Sequence, residues 1–183
     1  MSLTQYYTAT TLDGFIADPD HSLEWLFTRD QDGEGLLNYG EFIADVGALA
    51  MGSSTYEWII DHEFAGKDPA EWKWPYDIPC WVFTSRQLQV VLGAQIEFVR
   101  GDVAPVHAEM AAAAGDRNLW IVGGGDLVGQ FADAGLLDEV IVYIAPVTLG
   151  AGAPLLARRV ELRLEETGRN GGFVASRYSV ARG

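Results

Sequence analysis

Apolar positions along the chain alternate between two spacings. Gln5–Thr11, Pro79–Thr84, Gln95–Val99, Asn118–Val122 and Glu139–Ile144 have strand length and carry β-branched and aromatic residues, and Ala48–Gly52 is a short apolar run of strand length. Between them, apolar residues recur three and four apart, predicting helices over Gly35–Val46, from Ser53 through Ile60, over Val103–Ala114 and over Asp126–Ala134. Asp13–Gly14 turns the first strand into a short apolar return, Phe15–Ala17. Residues 20–34 read as a loop or short helix carrying Trp25, Leu26 and Phe27, and residues 62–77, with Gly66, Pro69 and Pro75, as a long surface loop. Either segment is a candidate lid. Ala145–Pro154 is a Gly/Pro-rich loop. Glu161–Thr167 and Phe173–Val180 alternate apolar and polar residues about Asn170–Gly172, a hairpin pattern.

Strands alternating with helices up to residue 144 predict an α/β fold. It has a mainly parallel central sheet flanked by helices on both faces, and the hairpin adds antiparallel edge strands. The 183 residues, 49% of them hydrophobic, fit one domain over 1–183. The net charge of −14 opposes nucleic acid and anionic membranes as partners. No apolar run reaches membrane-spanning length, the first residues do not resemble a signal peptide, and Cys80 stands alone, so a cytoplasmic setting is expected.

Candidate chemistry gathers at strand ends. Leu119–Val122 runs into Gly123–Gly124–Gly125 and then a helix, which leaves bare backbone beside free N–H groups and the positive end of a helix dipole. Such a junction suits a phosphate. Gly52–Ser53–Ser54–Thr55 is a second strand-to-helix junction, with hydroxyls able to cap the helix. Thr84–Ser85–Arg86 places two hydroxyls and a guanidinium at another strand end, a set suited to a phosphate monoester such as a 2′-phosphorylated ribose. In a parallel sheet these three segments share the carboxyl edge, where ligands sit. Together they describe an elongated anionic cofactor such as NADPH. No metal-ligating spacing occurs.

These segments also resemble the dihydrofolate-reductase-like superfamily. The likeness is greatest to stand-alone relatives of the reductase domain of the bifunctional riboflavin-biosynthesis deaminase/reductase. It is carried by Thr11–Ala17, Met51–Glu57, Val82–Arg86, Ile121–Gly125 and Pro146–Gly152, in family order over nearly the whole chain. The resemblance implies a dihydrofolate-reductase-like fold, NADPH as cofactor, hydride transfer to a small heterocyclic or carbonyl substrate, and a homodimer. By position it implies that Gly52, Ser53, Ser54 and Thr55, with Gly124, Gly125, Asp126, Leu127 and Val128, grip the pyrophosphate. Thr84, Ser85 and Arg86 would read the 2′-phosphate, and Ala9, Ile16 and Val122 would border the rest of the cofactor.

The chain departs from its relatives in three ways. One cysteine, and no His-x-Glu among His21, His62 and His107, excludes the zinc deaminase half. A carboxylate corresponding to the one that holds the pterin in dihydrofolate reductases is missing near Leu36, with Asp32 and Glu41 as neighbours. Residues 10–66 contain only one cation, Arg29, which argues against a sugar-phosphate substrate. Asp13 and Glu41 are the candidate catalytic carboxylates. Phe15, Trp25 and Tyr39, with Phe27, suggest a flat, less charged substrate. Dihydrofolate reductase-type activity and nucleotide binding without turnover stay open as alternatives.

Overall fold

The computed structural model describes residues 2–181. Its strands are β1 (Thr4–Thr11), β2 (Phe15–Ala17), β3 (Val46–Gly52), β4 (Cys80–Phe83), β5 (Ile96–Val99), β6 (Asn118–Gly123), β7 (Glu139–Ala145), β8 (Ala153–Pro154), β9 (Leu162–Asn170) and β10 (Phe173–Val180). Its α-helices are α1 (Glu24–Phe27), α2 (Tyr39–Ala44), α3 (Ser53–Phe64), α4 (Val103–Ala114) and α5 (Gly125–Asp133). Eight strands form one sheet in the order β5-β4-β3-β6-β1-β7-β10-β9, and β2 pairs with β8 separately. Pairing is parallel from β5 to β7 and antiparallel from β7 through β10 to β9. The expected sheet and C-terminal hairpin are both present.

The two-residue strand period divides the core. Tyr7, Leu49, Met51, Trp120, Ile141 and Tyr143 pack with Phe42 of α2 and with Tyr56, Ile59 and Phe64 of α3. Their sequence neighbours Tyr6, Ala48, Ala50, Leu119, Ile121, Val140 and Val142 pack with α4 and α5. Each large apolar side chain so buried contributes about 1.5–3 kcal/mol. The missing side chain of Gly47 lets α4 approach closely: a Cβ there would stand 2.8 Å from Ala114.

Several boundaries differ from the pattern reading. The helix expected over Gly35–Val46 shrinks to α2. Leu37 takes a φ of 58°, which no helix accommodates, and Asn38 caps the new start by accepting from the Glu41 N–H at 2.9 Å. Val46 and Gly47 belong to β3 instead. Helix α3 runs four residues beyond Ile60, to Phe64, because Phe64 adds a further core side chain. Residues 20–34 contain the single turn α1, and residues 62–77 a 3-10 turn at Pro69–Glu71. The Gly/Pro-rich loop carries β8, whose Pro154 and Ala153 pair with Phe15 and Ala17.

Candidate functional site

Parallel pairing brings Gly52, Phe83 and Gly123 to one edge of the sheet, Gly52 opposite Phe83 and Gly123 opposite Met51. Two helices open there without a connecting loop. Gly52 is the N-cap of α3 and Gly124 that of α5, and neither start has a side-chain cap. The serine and threonine expected to cap α3 therefore leave its first N–H groups free, because the cap position is the glycine before them. The two starts adjoin. A Cβ on Gly52 would lie 3.8 Å from the Gly123 oxygen and Gly124 nitrogen, and one on Gly123 would lie 3.4 Å from Thr55 Oγ1. Gly125 has no room for a side chain, since the Pro154 and Leu155 carbonyls press on its Cα.

A cavity of about 600 Å³ opens beside these starts. Of the residues expected at a cofactor, Ala9, Ile16, Ser54, Thr55, Val122, Gly124, Gly125 and Asp126 line it. Ser54, Thr55, Trp58 and Ile59 present one face of α3 to it, at helical spacing. Leu127 and Val128 turn their side chains into the core behind α5, and the Val128 N–H is taken by the Gly124 carbonyl.

Thr84, Ser85 and Arg86 sit next to the α3 start, off the cavity wall. The Arg86 guanidinium makes a two-toothed pair with Glu57, at 3.0 and 2.6 Å, and donates to Ser53 Oγ at 3.1 Å. Thr84 Oγ1 accepts from the Arg86 N–H at 3.0 Å, which fixes the turn.

Neither candidate carboxylate lies on the wall. Asp13 accepts from the Thr11 hydroxyl at 2.5 Å, from Gly150 N at 2.7 Å and from Leu149 N at 3.0 Å. The Thr11 hydroxyl first, then the Gly150 and Leu149 N–H groups, hold its carboxyl below the usual carboxylate range. Asp13 is thus placed to tie the β1–β2 turn to the 149–150 loop. Glu41 is exposed in the first turn of α2, beside a separate cavity of about 190 Å³ shared with Gln5, Asp45 and Arg177. Of the three expected substrate residues, Tyr39 lines the large cavity. Trp25 is buried in the core, and Phe15, whose neighbours Ile16 and Ala17 line the cavity, lies off the wall. No group of three or more His, Cys, Asp or Glu residues suited to a metal occurs among the described residues.

Residues 4–169 match the RibD C-terminal domain family. The chain belongs to that family. It is 34% identical over 181 residues to the uncharacterised protein YwjB of Bacillus subtilis, covering 96% of both chains. Its fold is similar to that of a protein assigned to riboflavin biosynthesis from Shewanella sp. PV-4, with a TM-score of 0.79 and 24% identity over 98% of this chain and 99% of that one. It is also similar to the dihydrofolate reductase of Enterococcus faecalis complexed with NADP(H), with a TM-score of 0.55 and 14% identity over 98% and 97% of the two chains. The fold is dihydrofolate-reductase-like, and the family is of reductase type.

For this RibD-type domain the pattern reading missed an aromatic wall: Tyr7, Trp58, Tyr76, Trp120 and Tyr143 also line the cavity. A signal for three of them was present. Tyr7 and Trp120 stand two residues before Ala9 and Val122, on the same strand faces, and Tyr143 pairs laterally with Ala9. Asn170, read as a turn residue, is a buried hub: its side chain bonds the Asp32 N–H and carbonyl, the Leu36 carbonyl and the Tyr143 hydroxyl.

Proposed function

We propose that the chain is an NADPH-dependent oxidoreductase that passes hydride to a small heterocyclic or carbonyl substrate, as its resemblance to the riboflavin-pathway reductase suggests. The observation that carries this reading is the meeting of two uncapped helix starts over adjacent strand ends, open to one large cavity. The free N–H groups at Ser54, Thr55, Gly124 and Gly125 suit a pyrophosphate, and the glycines admit it close to the backbone. Ser53, Thr84, Ser85 and Arg86 suit a 2′-phosphate. Glu57 holds the guanidinium beside Ser53 and leaves it further N–H donors for a phosphate. Ala9, Ile16 and Val122 offer small or apolar surface to a nicotinamide ring. When bound, the reduced nicotinamide supplies the hydride, and the protein's part is orientation and exclusion of water.

The test is a titration of NADPH and NADH into the protein, followed by tryptophan fluorescence, with Arg86→Ala alongside. The wild type is expected to prefer NADPH. The variant should lose roughly ten- to hundredfold of that preference, the worth of a hydrogen bond to a charged group. Binding of neither nucleotide would overturn the reading.

We also propose that the protein works as a homodimer, a reading supported by Leu162, Leu164 and Val174, which stand exposed on the terminal hairpin. A reducing, cytoplasmic setting suits the one cysteine: burial pushes the Cys80 thiol well above its ordinary pKa.

A further inference from the structure

The cavity extends beyond the helix starts. One pleat repeat back from the strand ends, about 7 Å, it is walled by Tyr7, Trp120 and Tyr143 from the sheet, with Tyr39, Trp58 and Tyr76 around them. No Lys or Arg lines it. The cations nearby are engaged elsewhere or lie off the wall. Asp126 at 3.1 Å and Asp133 at 2.9 Å hold Arg158, Glu57 holds Arg86, and Arg29 is not a lining residue. A phosphate pressed into this aromatic end would lose its hydration without gaining a cation, which is costly.

Beside Thr8, His21 and Gln31, the polar groups of this wall are phenols, and the phenols are not equivalent. The Tyr7 hydroxyl is spent on the Leu37 carbonyl at 3.1 Å, and that of Tyr143 on the Leu36 carbonyl at 2.9 Å. The hydroxyls of Tyr39 and Tyr76 have no protein partner among the described residues. Both rings flank Trp120, with centroids 5.9 and 5.7 Å from its own. Burial raises both phenols above their ordinary pKa, and Tyr39 adds to the effect on Tyr76, so both stay protonated as donors at neutral pH.

We propose that the substrate is a flat, uncharged heteroaromatic with ring carbonyl or imino acceptors and no phosphate group, and that Tyr39 and Tyr76 read its polar edge. This rests on the reductase reading above. Aromatic walls supply contact area for a planar ring. Two donors not bound to protein supply direction, and a substrate acceptor would take the place of solvent at each of them.

The test uses the full chain and 6,7-dimethyllumazine as probe, at a pH where its ring is uncharged, with binding read from the probe's own fluorescence in the presence and absence of saturating NADPH. Saturable binding is expected. It should weaken about tenfold in Tyr39→Phe/Tyr76→Phe, the loss of two neutral hydrogen bonds, while NADPH affinity stays unchanged. Ribose 5-phosphate should not displace the probe. Absence of probe binding to NADPH-saturated protein, equal binding to the double variant, or displacement by ribose 5-phosphate would overturn the proposal. If NADPH fails to bind while the probe binds and needs the two tyrosines, the reductase reading falls and the tyrosine pair stands as a ligand site.

Discussion

His107 shows how one residue's surroundings set a pH response. It lies on α4 with Nε2 2.8 Å from Thr4 Oγ1. Burial lowers its pKa, and the nearby Asp138 carboxylate only partly offsets this. The folded-state pKa thus lies below the unfolded value of about 6.5. The unfolded chain takes up the proton first on acidification, so stability falls as pH drops through that value and levels off below the folded pKa. Urea midpoints measured from about pH 7.5 to about pH 5.5 should fall for the wild type and fall less for His107→Gln. Asp13 acts in a lower window. Its depressed carboxyl contributes stability above the ordinary carboxylate range, and that contribution is lost as pH falls through the depressed value. At this scale the sequence was only half legible. Ala9 and Val122 lie on the wall, whereas Tyr7 and Trp120, on the same faces, were read only as strand residues, because an aromatic ring suits core and wall alike.

Among the elements, α5 depends most on a missing side chain. Gly125 is wedged against the backbone of Pro154 and Leu155, so it cannot take a methyl group without moving β8 or the helix start. Gly125→Ala should lower stability by about 1–3 kcal/mol, as overpacking does. Gly33→Ala, whose Cβ meets nothing within 4 Å, should be near neutral, and thermal unfolding of the two variants checks the contrast. Strands were legible as short apolar runs and long helices as apolar residues recurring three and four apart. Helix α2 was not, because what shortens it is local geometry at Leu37 and Asn38, which apolar spacing does not record. β8 was hidden for another reason. Two residues show no period, and they are strand only because Phe15 and Ala17 lie opposite them.

For the whole molecule, two features set the expectations. The sheet ends at β9, an edge strand whose Arg163, Glu165 and Glu166 discourage open-ended pairing. Leu162 and Leu164, paired with Val180 and Tyr178, are exposed beside them. If this face is the dimer interface, Leu164→Asp should shift the protein from dimer to monomer by sedimentation velocity, with the fold kept because the position is already half exposed. The candidate site itself was the least legible part. Its wall takes Tyr7, Tyr39, Trp58, Tyr76, Trp120 and Tyr143 from six separate segments, which only the folded chain brings together.

That strand order also bears on how the chain reaches its fold. β1 precedes β6 and β7 in the chain by more than a hundred residues yet sits between them in the sheet, hydrogen-bonded to β6 on one side and β7 on the other. A nascent chain carries β1 without its sheet neighbours until residues 118–145 have emerged. Closing such long loops is entropically expensive, which slows assembly and leaves an apolar strand exposed meanwhile. Its carriers Thr8 and Ala9 line the cavity, so the ligand site comes into being only late in assembly, when both neighbours have docked.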